Sequence, residues 1–90
     1  SMVWLLEHQQ KYEEALSFCD KALEINPTYV YALSYKGKLL FSLEKLEESL
    51  QCYNKALELE PNNSTAVYYR NKIIIKLEKM KKRSLFGKFK

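Results

Sequence analysis

By side-chain type, the residues best equipped for proton transfer are two adjacent carboxylate pairs, Glu13-Glu14 and Glu47-Glu48. General acid–base catalysis needs such groups in a pocket that shifts their pKa values, and nothing in the surrounding sequence builds one. The second pair is the first displaced by 34 residues. Both therefore read as repeat features at helix starts, where acidic groups complement the helix dipole. His8 has no serine, cysteine or aspartate arrangement around it that reads as an activated nucleophile. Cys19 and Cys52 belong to no CxxC pair and no His–Cys cluster, so metal binding has no support. They read as buried reduced thiols, equivalent to small apolar residues, and fit a reducing, cytoplasmic setting. No glycine-rich phosphate loop is present. The sequence points away from an enzyme, from a cofactor and from a small-molecule substrate.

What the chain offers instead is side chains for gripping. Tyr31, Tyr35 and Lys38 are spaced by four and three and share one helix face. An aromatic and basic surface of this kind suits an extended or helical peptide with apolar and acidic groups. The elements that carry these residues follow from a repeat. The tract Lys21-Ala22-Leu23-Glu24-Ile25-Asn26-Pro27 returns as Lys55-Ala56-Leu57-Glu58-Leu59-Glu60-Pro61, and from Lys11 to Pro27 9 of 17 positions are identical across the shift. A fixed period of this size indicates stacked helical hairpins, which serve as surfaces for holding other molecules rather than as housings for chemistry.

Ninety residues suffice for one small domain. Leu, Glu, Lys, Ala and Ile dominate, which favours helix. No apolar run approaches the roughly 20 residues needed to cross a bilayer, and the first residues lack the basic flank and cleavage site of a secretory leader. Residues 1–78 hold 9 basic and 11 acidic residues, whereas residues 79–90 hold six basic and no acidic ones, so the net charge of +4 is a property of the tail.

Pro27 and Pro61 place helix ends near Ile25 and Leu59, because the residue before a proline is pushed out of the α region. Apolar spacing predicts helices over about Tyr29–Leu43 and Leu46–Leu59, joined at Glu44-Lys45 by a turn so tight that the two run antiparallel. By the same plan Val3–Gln9 ends a first helix, Lys11–Ile25 is its partner and Thr65–Lys82 is a long last helix, five in all. Asn63 or Ser64 is expected to cap the last helix, and Thr28 the one after Pro27. Gly37 lies inside a helix, where glycine costs up to about 1 kcal/mol relative to alanine. Close approach of the partner helix would account for it, with Ala22 and Ala56 serving the same need.

These residues resemble the tetratricopeptide repeat family, whose unit is a helix–turn–helix of 34 residues. The family's first-helix pattern meets Leu33, Lys36, Gly37 and Leu40. Lys36 stands where an apolar residue is usual, its stem expected to snorkel over the core. The second-helix pattern of alanine, aromatic, alanine and a following proline meets Ser49, Tyr53, Ala56 and Pro61. One unit earlier it meets Ala15, Cys19, Ala22 and Pro27, with Phe18 and Tyr12 expected to fill the volume that Cys19 leaves. The resemblance implies an all-α, right-handed superhelical stack of antiparallel helix pairs, an α-solenoid. Its divisions are a truncated first repeat at 1–27, a complete repeat at 28–61, a capping helix or first helix of a third repeat at 62–83, and a basic-aromatic tail at 84–90.

In such stacks the first helices line an inner groove. The resemblance assigns Trp4, Tyr31, Tyr35, Lys38, Phe41, Tyr69, Lys72 and Lys76 to it, with His8 beside Trp4. It implies a non-enzymatic scaffold that binds a peptide or helix of a partner protein. The rival readings are self-association through open repeat edges, and a fragment of a larger chaperone-associated or regulatory protein. Some family members clamp the C-terminal carboxylates of heat-shock chaperones with lysine, asparagine and arginine. The matching positions for the lysine–arginine pair are Tyr31 and Tyr35, or Thr65 and Tyr69 one unit later. None is basic, and Lys38 and Lys72 lie one turn further along, which argues against that clamp. In the tail, Lys81, Lys82, Arg83 and Lys88 accompany Leu85, Phe86 and Phe89. A helix C-terminus favours cations through its dipole, which is the simplest reading of the tail. Contact with an anionic membrane or a partner comes second, and nucleic acid third.

Overall fold

The structure, a computed structural model, describes the backbone of residues 2–88 and the side chains of residues 10–83. It consists of four helices, α1 (Met2–Ile25), α2 (Val30–Ser42), α3 (Leu46–Leu59) and α4 (Ser64–Lys88). No strand occurs among the described residues. Successive helices pack as neighbours, and α2 and α4 also touch, so α3 lies across both. The shortest dimension is 19 Å, the thickness of two helices of about 10 Å each. Among the described residues no helix is long and apolar enough to cross a membrane.

α1 and α3 stop at Ile25 and Leu59, each two residues before a proline. After α1, the Asn26 side-chain Oδ1 accepts hydrogen bonds from the Thr28 backbone N–H (3.3 Å) and hydroxyl (3.0 Å), forming the turn. Thr28 is thereby engaged backwards and does not cap α2, whose N-cap is Tyr29 with no side-chain bond. Asn63 does cap α4: its Oδ1 accepts from the Ala66 N–H at 3.0 Å.

The core is built around one contact. Tyr53 on α3 is fully buried, as are Ser49, Ala56, Ala66 and Ile73. Its ring lies where the side chain of Gly37 would be: a Cβ there would stand 2.7 Å from Cε2 and 2.8 Å from Cζ. One turn earlier on α3, the Ser49 hydroxyl donates to the Gly37 carbonyl at 2.6 Å. The absence of a side chain on α2 thus admits a whole aromatic ring from α3, and Ser49 fixes the register.

Such close helices require a short reversal. The α2 C-terminus closes as a Schellman motif: the Lys45 N–H reaches the Leu40 carbonyl (2.9 Å) and the Glu44 N–H the Phe41 carbonyl (3.0 Å). Glu44 sits at φ 61°, a left-handed conformation that disfavours any residue with a Cβ by about 1–2 kcal/mol. Glu47 and Glu48 then occupy the first turn of α3, where they offset the positive end of its dipole.

One reversal expected from the repeat does not form, while the long last helix does. Val3–Gln9 and Lys11–Ile25 are a single helix, α1. Gln10 is the counterpart of Glu44, but the counterparts of Gly37 and Tyr53 are Val3 and Cys19. Without that glycine and that ring, no close packing offsets a left-handed residue, and the glutamines continue the helix. Glu13-Glu14 consequently lies within a helix rather than at its start. At the other end α4 runs on to Lys88, past Lys82 and through most of the expected tail, although Leu77-Glu78-Lys79 repeats Leu43-Glu44-Lys45 letter for letter. There the counterparts of Ser49 and Tyr53 are Arg83 and Gly87, which supply neither a small buried hydroxyl nor a ring.

Two smaller expectations also change. Phe18 is 73% exposed and does not fill space beside Cys19. Lys36 does more than lay its stem on the core: its ammonium pairs with Asp20 of α1 at 2.6 Å.

Gly37→Ala gains helix propensity of up to about 1 kcal/mol but forces a buried ring to shift, which costs about 1–3 kcal/mol; the net effect should be a lower urea midpoint. Gly37→Leu should leave no cooperative transition. Glu44→Gly relieves the left-handed residue and should raise the midpoint, by up to about 1 kcal/mol. An unchanged midpoint in the Gly37 variants would refute the packing account.

Candidate functional site

α2 and α4 lie side by side, and their exposed faces form the candidate groove. Its first part lies at the N-terminal ends of the two helices. Tyr31 (72% exposed) and Tyr35 (46% exposed) stand on α2, above a hollow of about 370 Å³ that Val30, Ser34, Lys38, Tyr53, Glu60, Asn63 and Thr65 also line. Lys38 is exposed. Two hydroxyls of this lining, Ser34 Oγ and Tyr53 Oη, are buried and find no hydrogen-bond partner among the described residues. Buried polar atoms are normally paired, so these two are equipped to meet a polar group that enters the hollow. The sequence offered no sign of them, because Tyr53 reads as a core aromatic and Ser34 as a helix-surface residue.

The second part is an aromatic row. Tyr69 stacks on Tyr53, with centroids 5.3 Å apart and planes 6° from parallel. It meets Phe41 edge-on at 5.8 Å and Tyr68 at 5.2 Å. Lys72 and Lys76 hold their ammonium groups 5.6 and 5.4 Å from the Phe41 centroid, within cation–π range. Phe41 and Tyr69 are half-buried and join the floor, whereas Tyr31 and Tyr35 project from it. Trp4, His8 and Lys88 lie outside the described side chains. Lys81, Lys82 and Arg83 are exposed on α4.

A second hollow, of about 490 Å³, opens between α1 and α2 and is lined by Ala15, Phe18, Cys19, Ala22, Tyr29, Tyr31, Ala32 and Tyr35. Moved forward by one repeat, Ala15, Cys19, Ala22, Ala32 and Tyr35 become Ser49, Tyr53, Ala56, Ala66 and Tyr69. Those five are the residues around α2. By repeat symmetry the second hollow is a helix seat, and α1 runs straight instead of turning back into it.

On the other side of the helices the chemistry is self-contained. Asp20, hydrogen-bonded to Lys36, holds its ammonium above the usual lysine range. Cys19 and Cys52 are buried free thiols. Burial raises both above the ordinary value, helped at Cys19 by the adjacent Asp20 charge, so they hold their protons and are poor nucleophiles. Burial also raises the Tyr53 phenol. No group of three metal-binding side chains occurs among the described residues.

The family model described as tetratricopeptide repeat matches residues 4–29 and 30–63. The chain belongs to the tetratricopeptide repeat family. Two solved domains are similar to it. One is the first TPR of Spaghetti (RPAP3) bound to the HSP90 peptide SRMEEVD, 40% identical over 78% of this chain, with a TM-score of 0.74. The other is the first TPR domain of the human RPAP3 protein, 38% identical over 82% of this chain, with a TM-score of 0.75. The chain spans 56% and 58% of the length of those domains. Comparison with curated proteins gives no match. As a tetratricopeptide repeat domain, the chain has an all-α repeat fold.

The raised pKa values predict alkaline sensitivity. A proton held more tightly in the folded chain than in the unfolded one stabilises the fold below the unfolded pKa, and that contribution is lost as pH rises. Unfolded thiols ionise near 9.0, tyrosine near 10.0 and lysine near 10.5, and all four shifts act in this same direction. The urea midpoint should therefore hold steady from neutral pH to about pH 8 and fall above about pH 9. Cys52→Ala should flatten the first part of that fall; a midpoint independent of pH would contradict the burial of these groups.

Proposed function

We propose that this domain is a non-enzymatic scaffold that captures a peptide or helix of a partner protein in the groove along α2 and α4. The observation that carries the reading is the first hollow. Two aromatic side chains project beside it, and two unpaired buried hydroxyls line it. An apolar side chain of the partner would be buried against Tyr31 and Tyr35, and a backbone polar group would meet Ser34 or Tyr53. Burying one such anchor contributes a few kcal/mol, roughly 1.5–3 for a leucine-sized group.

The relative bound to an HSP90 peptide supports peptide capture as the mode. It does not carry the same peptide over to this chain. At the positions of the basic clamp pair stand Tyr31 and Tyr35, or Thr65 and Tyr69, and these have no charge to offer a terminal carboxylate. The preferred segment is one with an apolar anchor rather than one defined by its carboxyl end.

The helix seat between α1 and α2 favours a second reading, self-association, in which a helix from another copy occupies it. Sedimentation over a range of concentrations separates the two readings: a monomer that binds peptide favours the groove, and concentration-dependent mass favours the seat.

The direct test is fluorescence anisotropy with labelled peptides, comparing SRMEEVD, its C-terminally amidated form and a leucine-anchored segment. Tyr35→Ala should weaken capture of the leucine-anchored peptide by at least about tenfold while moving the melting temperature little, because about half of Tyr35 is exposed and it is not part of the buried core. Equal loss of capture and stability would assign Tyr35 to packing. A strong preference for the free carboxylate of SRMEEVD would overturn the apolar-anchor reading.

A further inference from the structure

α4 is longer than the helices that support it, and it carries eight basic residues against one acidic residue, Glu78. Four of the cations, Lys72, Lys76, Lys79 and Arg83, are spaced by four, three and four. They form a row on one helix face, about 16 Å from end to end at the helical rise. Ile75 and Met80 flank the row, each 54% exposed, and the six residues enclose a shallow hollow of about 390 Å³.

Among the described residues the one ion pair is Lys36–Asp20, so no described carboxylate answers this row. Glu78 falls on a different face by helical spacing. Like charges at i, i+4 destabilise a helix when nothing neutralises them. The helix dipole does not explain the row either, because its effect falls off within the last turn and Lys72, Lys76 and Lys79 lie before that turn. The row begins where the aromatic floor ends, with Lys72 and Lys76 both over Phe41 and Lys72 also 5.6 Å from the Tyr68 centroid.

We propose that this row binds the acidic segment of the captured peptide, while the Tyr31–Tyr35 hollow takes its apolar segment. The inference rests on the groove reading above and extends the site to Lys79 and Arg83. The partner is a peptide with an apolar anchor at one end and, at the other, carboxylates spread over about 16 Å, which is some eleven helical residues or five extended ones. Aliphatic neighbours separate this surface from a plain polyanion site. Ile75 and Met80 interleave with the cations and offer contacts that a phosphate backbone would not use. A lipid surface would draw apolar residues deeper than the cations, whereas here Lys72 and Lys76 are folded onto a ring of the groove floor.

The test is anisotropy with a labelled synthetic peptide of roughly 14 residues carrying leucines at one end and glutamates at i, i+4, i+7 and i+11, compared with its glutamine counterpart. The glutamate form should bind at least about tenfold tighter at about 50 mM salt, and the difference should shrink at about 300 mM. Lys72→Glu with Lys76→Glu, and Lys79→Glu with Arg83→Glu, should each abolish the preference. Lys81→Glu with Lys82→Glu, on other faces of the same helix, should leave it within about twofold. Equal binding of both peptides would keep the groove and overturn the row; capture of neither would overturn both. Equal damage from the Lys81/Lys82 reversal would reduce the effect to net charge and overturn the row. Phosphatidylserine vesicles or duplex DNA bound more tightly than the peptide, and released by the same reversals, would reassign the row to another polyanion.

Discussion

The arrangement depends on a ring in place of a side chain. Tyr53 lies against the bare backbone of Gly37, with Ser49 tied to the same peptide unit. That contact sets the distance between α2 and α3, and the distance dictates how the chain turns between them. A reversal of so few residues needs a left-handed position, and Glu44 takes it although glycine would suit it better. Local strain of this size persists only where surrounding packing over-determines it, and here the buried ring does so. The same ring stacks on Tyr69, which meets Phe41, over which Lys72 and Lys76 lie. One residue of the core therefore sets both the helix hairpin and the floor of the groove.

The repeat supplies a natural control. Leu43-Glu44-Lys45 turns and Leu77-Glu78-Lys79 does not, though the two are the same tripeptide. A local code for the turn would have acted at both places. The decisive partners are distant in sequence: Ser49 and Tyr53 follow the first copy at positions where Arg83 and Gly87 follow the second. Gln9-Gln10-Lys11 points the same way, since Val3 and Cys19 replace glycine and ring. This explains which features were legible in the sequence. Helix ends at Ile25 and Leu59, the burial of Ala56 and both cysteines, and the close approach at Gly37 all follow from residue type and period. The long last helix follows too, though it runs six residues past the expected Lys82. The straightness of α1 does not, because a reversal there depends on a packing partner that the repeat pattern implies and the actual residues fail to provide. The site was legible to the same degree. Helical spacing puts Tyr31, Tyr35 and Lys38 on one face, but it does not reveal that Tyr69 is stacked into the floor, or that Ser34 and Tyr53 keep unpaired hydroxyls at the hollow.

Charge divides between the two sides of the helices in a way that bears on partner choice. Lys36 stands at a position usually apolar in the family, and α1 answers it with Asp20. The pair is partly exposed, and its strength is limited by solvent, yet it answers the charge of Lys36 directly. The cations of α4 have no such answer. A chain whose first 78 residues are slightly acidic thus presents its positive charge on one helix, next to the aromatic floor. Long-range attraction of an acidic segment would act mainly on the rate of encounter, with the aromatic hollow governing how long the complex lasts.

This separation of roles sets the chain apart, on the proposed reading, from a groove that recognises a chain terminus. A terminal carboxylate needs charged donors at fixed positions, and a site built for it discriminates strongly because an unmatched buried charge is costly. Tyrosines at those positions supply apolar area and a hydroxyl but no counter-charge. They tolerate many side chains and reject few, since one methylene more or less changes binding by only about 1–3 kcal/mol. Discrimination must then come from elsewhere in the groove, and the unanswered cations of α4 are the feature able to supply it. A segment with the right anchor but basic flanks would bring like charges against Lys72 and Lys76, and repulsion excludes wrong partners as effectively as attraction selects right ones.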